Sequence, residues 1–320
     1  MTYKVVLIGL GQISMGYDLN SKDSDLILTH AKAYSLHPEF ILVGGVDPKF
    51  ELCEKFKQNY GANSSTDLAK IVSETQPDVV VIASPTEQHY DCMQQVLQHS
   101  NPSLILCEKP LSYKLDEARN MISCCKKNNC KLYVNYPRRT EPGVNFVKKL
   151  ITEKKIEFPI KGTGWYTKGL LHNGSHFTNL LEYWLGPIIE ARVNRSAPEM
   201  TNRDWEPDIQ LVFNSGVVYL QSVTGTAYSH HEIQLLAGNG CLRYEQGGTK
   251  ITWQEVVQDN QIEGYSVLNS EYQIIETQSN KLLWHVTNEV SNGLSGKPTS
   301  LCAGLDGLST LETLMNLKAN

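Results

Sequence analysis

The chain has 320 residues, 41 % hydrophobic and 20 % charged, with a formal net charge of -5. That length suits one large or two medium domains with a sizeable core. The mild acidity and the lack of any basic block exclude an electrostatic footing for nucleic acid. No apolar run approaches the roughly 20 residues that span a bilayer. The 8 cysteines form no CxxC pair, and Cys124, Cys125 and Cys130 lie at a helix end without partner histidines nearby, so all eight read as reduced thiols of a cytoplasmic protein with no metal site. The chain opens on a strand pattern rather than a leader, which agrees with a cytoplasmic location.

That first strand, Val5-Val6-Leu7-Ile8, runs into Gly9-Leu10-Gly11-Gln12-Ile13-Ser14. Gly9 permits a tight turn, Gly11 a close approach to a pyrophosphate, and small Ser14 keeps helix–strand packing possible. The next helix N-terminus would offer N–H donors to an anion. A second strand, Phe40 to Val46, ends in Asp47, where a carboxylate accepts from ribose hydroxyls and favours NAD over NADP. An ordinary turn carboxylate before Pro48 is the plainer alternative, and Lys49 would soften any such preference. Asp47 lies 36 residues after Gly11, against the usual ~20. The polar segment Tyr17 to Asp25 accounts for the excess, as a lid over a cofactor or an inert surface loop.

Further apolar strands follow at Asp78 to Ala83, Leu104 to Cys107 and Lys131 to Tyr136. Helical stretches at Lys49–Tyr60, Asp67–Thr75, Gln88–Gln98 and Leu115–Asn128 alternate with them. Strand–helix alternation with uniformly apolar strands predicts a doubly wound parallel sheet. Glu108-Lys109-Pro110 follows the Leu104–Cys107 strand, so Lys109 sits where open α/β sheets bind ligands, with Pro110 restricting its direction. A turn with a solvated charge pair is the alternative.

After Tyr136 the pattern changes. Ile209–Phe213 and Val217–Leu220, then Ile233–Leu236 and Cys241–Tyr244, flank Asn/Gly turns and read as antiparallel hairpins. The predicted architecture is α/β: a Rossmann domain over 1–136, then an α/β domain over 137–320 with a large open antiparallel sheet. An uncovered sheet face would invite a homodimer or homotetramer. A closing helix near 304–317 packs back on the fold. Between the hairpins and the first half lies Leu170-Leu171-His172-Asn173-Gly174-Ser175-His176. From His176 the pattern is helical up to Gly186. His176 would then sit near a helix N-terminus, where the dipole favours a neutral base. A capping or packing histidine is the alternative.

Gly-Leu-Gly-Gln-Ile, Val-Asp-Pro, Ile-Ala-Ser-Pro-Thr-Glu-Gln-His, Glu-Lys-Pro-Leu and Gly-Ser-His-Phe occur in that order. The set resembles the glucose–fructose oxidoreductase / inositol dehydrogenase / MocA family across nearly the whole chain. The resemblance implies a Rossmann domain, an open-sheet domain and hydride transfer between nicotinamide and a sugar or polyol carbon. It implies that Gly9, Gly11, Gln12 and Ile13 hold the pyrophosphate and Asp47 the ribose. Ser84, Pro85, Thr86, His89 and Glu108 would face the nicotinamide, with NAD(H) favoured and NADP(H) possible. Lys109 would bond the reacting hydroxyl and His176 would carry its proton.

Two positions depart from the family pattern. Where many relatives have Asp, this chain has His172 and Asn179. That puts the tuning of His176 in question and makes His172 a candidate for the proton relay. Arg138, Tyr166, Asn173 and Asn179 are the candidate substrate contacts. The Trp165-Tyr166 pair, Trp184 and Arg139 could add sugar-stacking faces and anion contacts, although aromatics are more often core. Similarity of the 166–176 stretch to relatives in surface-polysaccharide pathways suggests a sugar or nucleotide-sugar substrate. A non-catalytic cofactor-binding regulator and an NAD-dependent glycosidase are the competing readings.

Overall fold

A computed structural model describes residues 2–197, 204–223 and 228–319 of the chain. Its strands are β1 (Tyr3–Ile8), β2 (Phe40–Val46), β3 (Asn63–Ser65), β4 (Val79–Ile82), β5 (Leu104–Glu108), β6 (Lys131–Asn135), β7 (Ile160–Tyr166) and β8 (Ile188–Arg195). There follow β9 (Asp208–Phe213), β10 (Gly216–Ser222), β11 (Glu232–Ala237), β12 (Gly240–Glu245), β13 (Lys250–Gln258), β14 (Ser266–Leu268), β15 (Gln273–Ile275) and β16 (Cys302–Ala303). The helices are α1 (His30–Leu36), α2 (Phe50–Tyr60), α3 (Leu68–Thr75), α4 (His89–His99), α5 (Leu115–Lys127), α6 (Pro142–Thr152), α7 (Ser175–Leu185), α8 (Leu282–Leu294) and α9 (Gly304–Ala319).

The chain divides into two compact units, Met1–Thr140 with Asn280–Leu311, and Glu141–Ser279 with Glu312–Asn320. In the first unit the described strands form a sheet in the order β16-β6-β5-β4-β1-β2-β3. Neighbours from β6 to β3 are parallel, and only β16 pairs antiparallel, on β6. Val5, Leu7, Val79, Val81, Leu104 and Leu106 are fully buried, as expected of strands covered on both faces. Residues 280–311, placed with the second half on sequence, belong here. Leu283, Val286 and Val290 of α8 join Tyr34, Phe40 and Ile27 in one core. An apolar helical stripe pairs with whichever face it can bury, and periodicity alone does not name the partner.

In the second unit the sheet runs β14-β13-β12-β11-β7-β10-β9-β8, with β15 on β13. It is antiparallel except for the parallel β7/β10 pair. Alternation is clean along β9 and β10: Ile209, Leu211, Phe213, Val218 and Leu220 are buried. Tyr244 of β12 meets Phe177 and Trp184 of α7 edge-on, at ring separations of 6.3 and 5.9 Å. Outward positions leave Trp165, Leu236 and Ile274 exposed. No helix among the described residues is long and apolar enough to cross a membrane.

Candidate functional site

A cleft of about 950 Å³ opens at the carboxyl ends of β1, β2 and β4, the edge where open parallel sheets take ligands. Gly9, Gly11, Asp47, Ser84 and Pro85 line it, together with Lys49 and Asp67. Gly9 has φ +86°, and a Cβ there would lie 2.6 Å from the Ala83 carbonyl oxygen and the Ser84 nitrogen. No other residue fits this crossing between β1 and β4. Gly11 is different: a Cβ would meet nothing within 4 Å, so the space above its backbone belongs to the cleft. Asp47 Oδ2 accepts from the Leu10 N–H at 2.9 Å and Oδ1 from the Lys49 N–H at 2.9 Å. The same carboxylate that faces the cleft therefore pins the glycine loop. An open glycine backbone beside an anchored carboxylate is what a dinucleotide pyrophosphate and ribose require, so these residues fit that group.

The helix expected after Gly11 is not an α-helix. Gln12–Gly16 form a single π turn, and α1 begins only at His30. The assumed full helix dipole is therefore missing, and what the turn offers an anion is its first few amides. Gln12 and Ile13 sit on this turn outside the cleft lining. The long polar segment is ordered by Asp18, 2 % exposed. Asp18 Oδ2 accepts from the Leu28 and Thr29 amides, and Oδ1 accepts from the Thr29 hydroxyl at 2.6 Å. Thr29 in turn caps α1 through the Lys32 amide.

At the end of β5, Glu108 is held from two sides. His30 Nε2 lies 2.9 Å from Oε1, and the Asn135 amide donates to the same oxygen at 2.6 Å. Burial pushes the Glu108 carboxyl up, but the His30 hydrogen bond and charge, the Asn135 amide and the Lys109 ammonium together bring it below the usual carboxylate range. Lys109 follows, half-buried, ahead of a cis peptide to Pro110. His89, expected to line the nicotinamide side, is 1 % exposed. Its Nε2 lies 2.9 Å from the Ser84 carbonyl oxygen, and its Nδ1 3.1 Å from that of Pro110. It pins the β4 and β5 exits to each other and presents no face to a ligand. Burial pushes its imidazole below the ordinary range, against the pull of those carbonyls. Thr86 opens a short 3-10 turn beside it. Arg138 is half-buried on the turn Pro137–Thr140.

In the second unit, Leu170–Gly174 form a π turn that runs without a break into α7. His176 therefore lies past the first turn of a longer helical run, not at its free N-terminus, and the dipole argument applies to the 169–172 amides instead. Those amides are taken in succession. Gly169 N–H donates to Glu206 Oε1 at 3.0 Å and Leu170 N–H to the Trp205 carbonyl at 2.8 Å. Leu171 and His172 N–H donate to Asp204 Oδ1 and Oδ2, each at 2.9 Å. Asp204 and Glu206 are 9 % and 2 % exposed. Sequence reasoning missed both, because nothing local marks a carboxylate that caps a turn more than thirty residues away. His172 is exposed and His176 half-buried. The Asn173 side-chain amide donates to the Thr167 carbonyl at 3.0 Å. Asn179 is buried on α7.

Tyr166 does not offer a substrate contact. It is fully buried, and its hydroxyl donates to the Pro207 carbonyl at 2.5 Å. Burial pushes the phenol well up. Trp184 is likewise a core residue, its indole N–H donating to the Val144 carbonyl at 3.1 Å. Strand alternation explains the failed pair: on β7, Tyr166 points inward and Trp165 outward. Arg139 is tied to Asp306 at 3.2 Å. Among the described residues no cluster of metal-binding side chains occurs.

A parallel sheet with a glycine crossing, an anchored acidic residue just after β2 and a cleft over both is the arrangement of a dinucleotide-binding α/β protein. Residues 3–136 match the GFO_IDH_MocA model, described as an oxidoreductase family with an NAD-binding Rossmann fold. That match covers 134 of the 320 residues, the parallel-sheet part of the chain alone. An inositol 2-dehydrogenase of Rhizobium meliloti is 28 % identical over 156 residues, 49 % of this chain and 42 % of that protein. The aligned stretch spans only 28 to 50 % of three curated relatives. Likeness in fold extends further. A structure from Desulfitobacterium hafniense, named as an oxidoreductase, superposes with TM-score 0.81 at 18 % identity, covering 99 % of this chain and 94 % of that one. The WlbA dehydrogenase of Bordetella pertussis, solved with NADH and UDP-GlcNAcA, gives 0.77 at 16 % identity, covering 99 % and 95 %.

Proposed function

We propose that the chain is an NAD(H)-dependent oxidoreductase acting on a sugar or nucleotide-activated sugar, in surface-polysaccharide synthesis. The observation that carries this reading is the cleft, with an open Gly11 backbone and a carboxylate at the end of β2. The cofactor, when bound, would accept or return the hydride. Gly9, Gly11, Gln12 and Ile13 would hold its pyrophosphate. Asp47 would accept from the ribose hydroxyls: each of its oxygens takes one protein N–H and retains capacity for another donor. The same charge would repel a 2′-phosphate, although Lys49 lessens the discrimination against NADP(H). Lys109 would bond the reacting oxygen and stabilise developing alkoxide. His176 would remove the hydroxyl proton as the hydride leaves and return it in reduction. His172 is the second proton carrier proposed, and Arg138, Asn173 and Asn179 the substrate contacts. The exposed Trp165 and Leu236 on the outward sheet face support self-association as a dimer or tetramer, testable by sedimentation.

The test is fluorescence titration of wild type and Asp47→Ala with NADH and NADPH, followed by a sugar screen read by nicotinamide absorbance. NADH should bind more tightly than NADPH, and the variant should lose about tenfold, ~1.4 kcal/mol. Wild type that bound neither would refute the reading. The replaced carboxylates at His172 and Asn179 favour a second reading, a cofactor-binding regulator. It predicts tight NADH binding with no turnover on any sugar.

A further inference from the structure

We infer that His30 is a positioning residue for the nicotinamide end of the cofactor, acting through Glu108. The inference rests on the dinucleotide-binding reading above. The strands lie in the order β2, β1, β4, β5, so the ends of β2 and β5 are three spacings apart, about 14 Å. Asp47 stands at one end of that line and Glu108 at the other. A dinucleotide whose adenosine ribose meets Asp47 and whose pyrophosphate crosses Gly9 and Gly11 carries its nicotinamide toward β4 and β5.

Glu108 is prepared for a ligand in an unusual way. Both of its protein donors, His30 Nε2 and Asn135 Nδ2, converge on Oε1. Among the described residues no donor lies on Oε2, and the side chain keeps 14 % of its exposure. One oxygen is thus clamped and the other left as an acceptor at the sheet edge. A carboxamide NH2 is a donor of matching chemistry. His30 itself is fully buried, and among the described residues its Nδ1 has no hydrogen-bond partner. Nε2, facing a carboxylate oxygen, is therefore a donor, and among the described residues its polar connection is to Glu108. A buried imidazole with a single bond, aimed at the carboxylate beside Lys109, sets where Oε2 points. The glycine loop and Asp47 do not depend on it: Asp47 is fixed by the Leu10 and Lys49 amides.

That separation gives the test. Titrations compare NADH with ADP-ribose, which has the adenosine, pyrophosphate and second ribose but no nicotinamide. His30→Leu should weaken NADH about tenfold and ADP-ribose less than about twofold. His30→Gln, whose amide can still donate to Oε1, should recover most of the NADH loss. Asn135→Ala removes the other donor to the same oxygen and should repeat the selective loss if His30→Leu folds poorly. Equal weakening of both ligands would reduce His30 to a general packing role and overturn the inference. Unchanged NADH affinity would overturn it as well. Wild type that bound neither ligand would bring down the cofactor reading and this assignment together.

Discussion

Asp204→Ala tests whether the turn carrying His172 is held from a distance. The side chain accepts the Leu171 and His172 amides, each at 2.9 Å, as well as its neighbour's amide at 2.8 Å. At 9 % exposure, water does not readily replace those acceptors. Truncation strands two loop donors, and at about 2 kcal/mol each the loss is about 4 kcal/mol. Against a typical net stability of about 5–15 kcal/mol that is a large share. With a urea slope near 3 kcal/mol/M, the unfolding midpoint should fall by roughly 1.3 M. On the proposal that His176 carries the hydroxyl proton, turnover under strongly native conditions should fall as well, because that residue lies one turn beyond the freed amides. The measurement is urea unfolding of wild type and variant, with the slope compared. A loss below about 1 kcal/mol at unchanged slope would show that the turn needs no distant cap.

Tyr166→Phe should cost about 1–2 kcal/mol, by leaving the Pro207 carbonyl without its donor. It should leave the KM for substrate unchanged, and a raised KM would restore Tyr166 as a contact. Burial pushes the Glu108 carboxyl up, but its hydrogen bonds to His30 and Asn135 together with the His30 and Lys109 charges hold it below its unfolded value. Its contribution to stability is therefore present above the unfolded pKa and is lost as pH falls through the folded one. Glu108→Gln should flatten the acid limb of the stability–pH curve, and a limb of unchanged steepness would refute the assignment.

The sheet of the first unit was readable because its strands are buried on both faces and carry unbroken apolar runs. The tight turn at Gly9 and the placing of Asp47 just after β2 were readable because both are local to a strand end. What escaped were interactions made at a distance. His30 and Glu108 are 78 residues apart and Asp204 and His172 32 apart, and neither pairing leaves a periodic trace. Tyr166 was misjudged because an aromatic on a strand points in or out by register alone, and the register of β7 is set by β10 and β11. The π geometry of both turns was invisible for a similar reason. An extra residue per turn alters backbone pairing without altering composition.

The chain leaves the first unit after Thr140 and returns to it at Asn280. The returning segment is not an accessory. Its Lys281 pairs with Asp25 at 2.9 Å, Asn288 with His37 at 2.9 Å, and the Gly293 carbonyl with Lys131 at 2.6 Å. A growing chain on the ribosome has therefore emitted the entire sequence of the cofactor domain's parallel strands long before it can seal their core. Until α8 emerges, the core that Tyr34, Phe40 and Ile27 share with the strands lacks Leu283, Val286 and Val290. The parallel sheet is thus complete in sequence well before the helix that shares its core has been made.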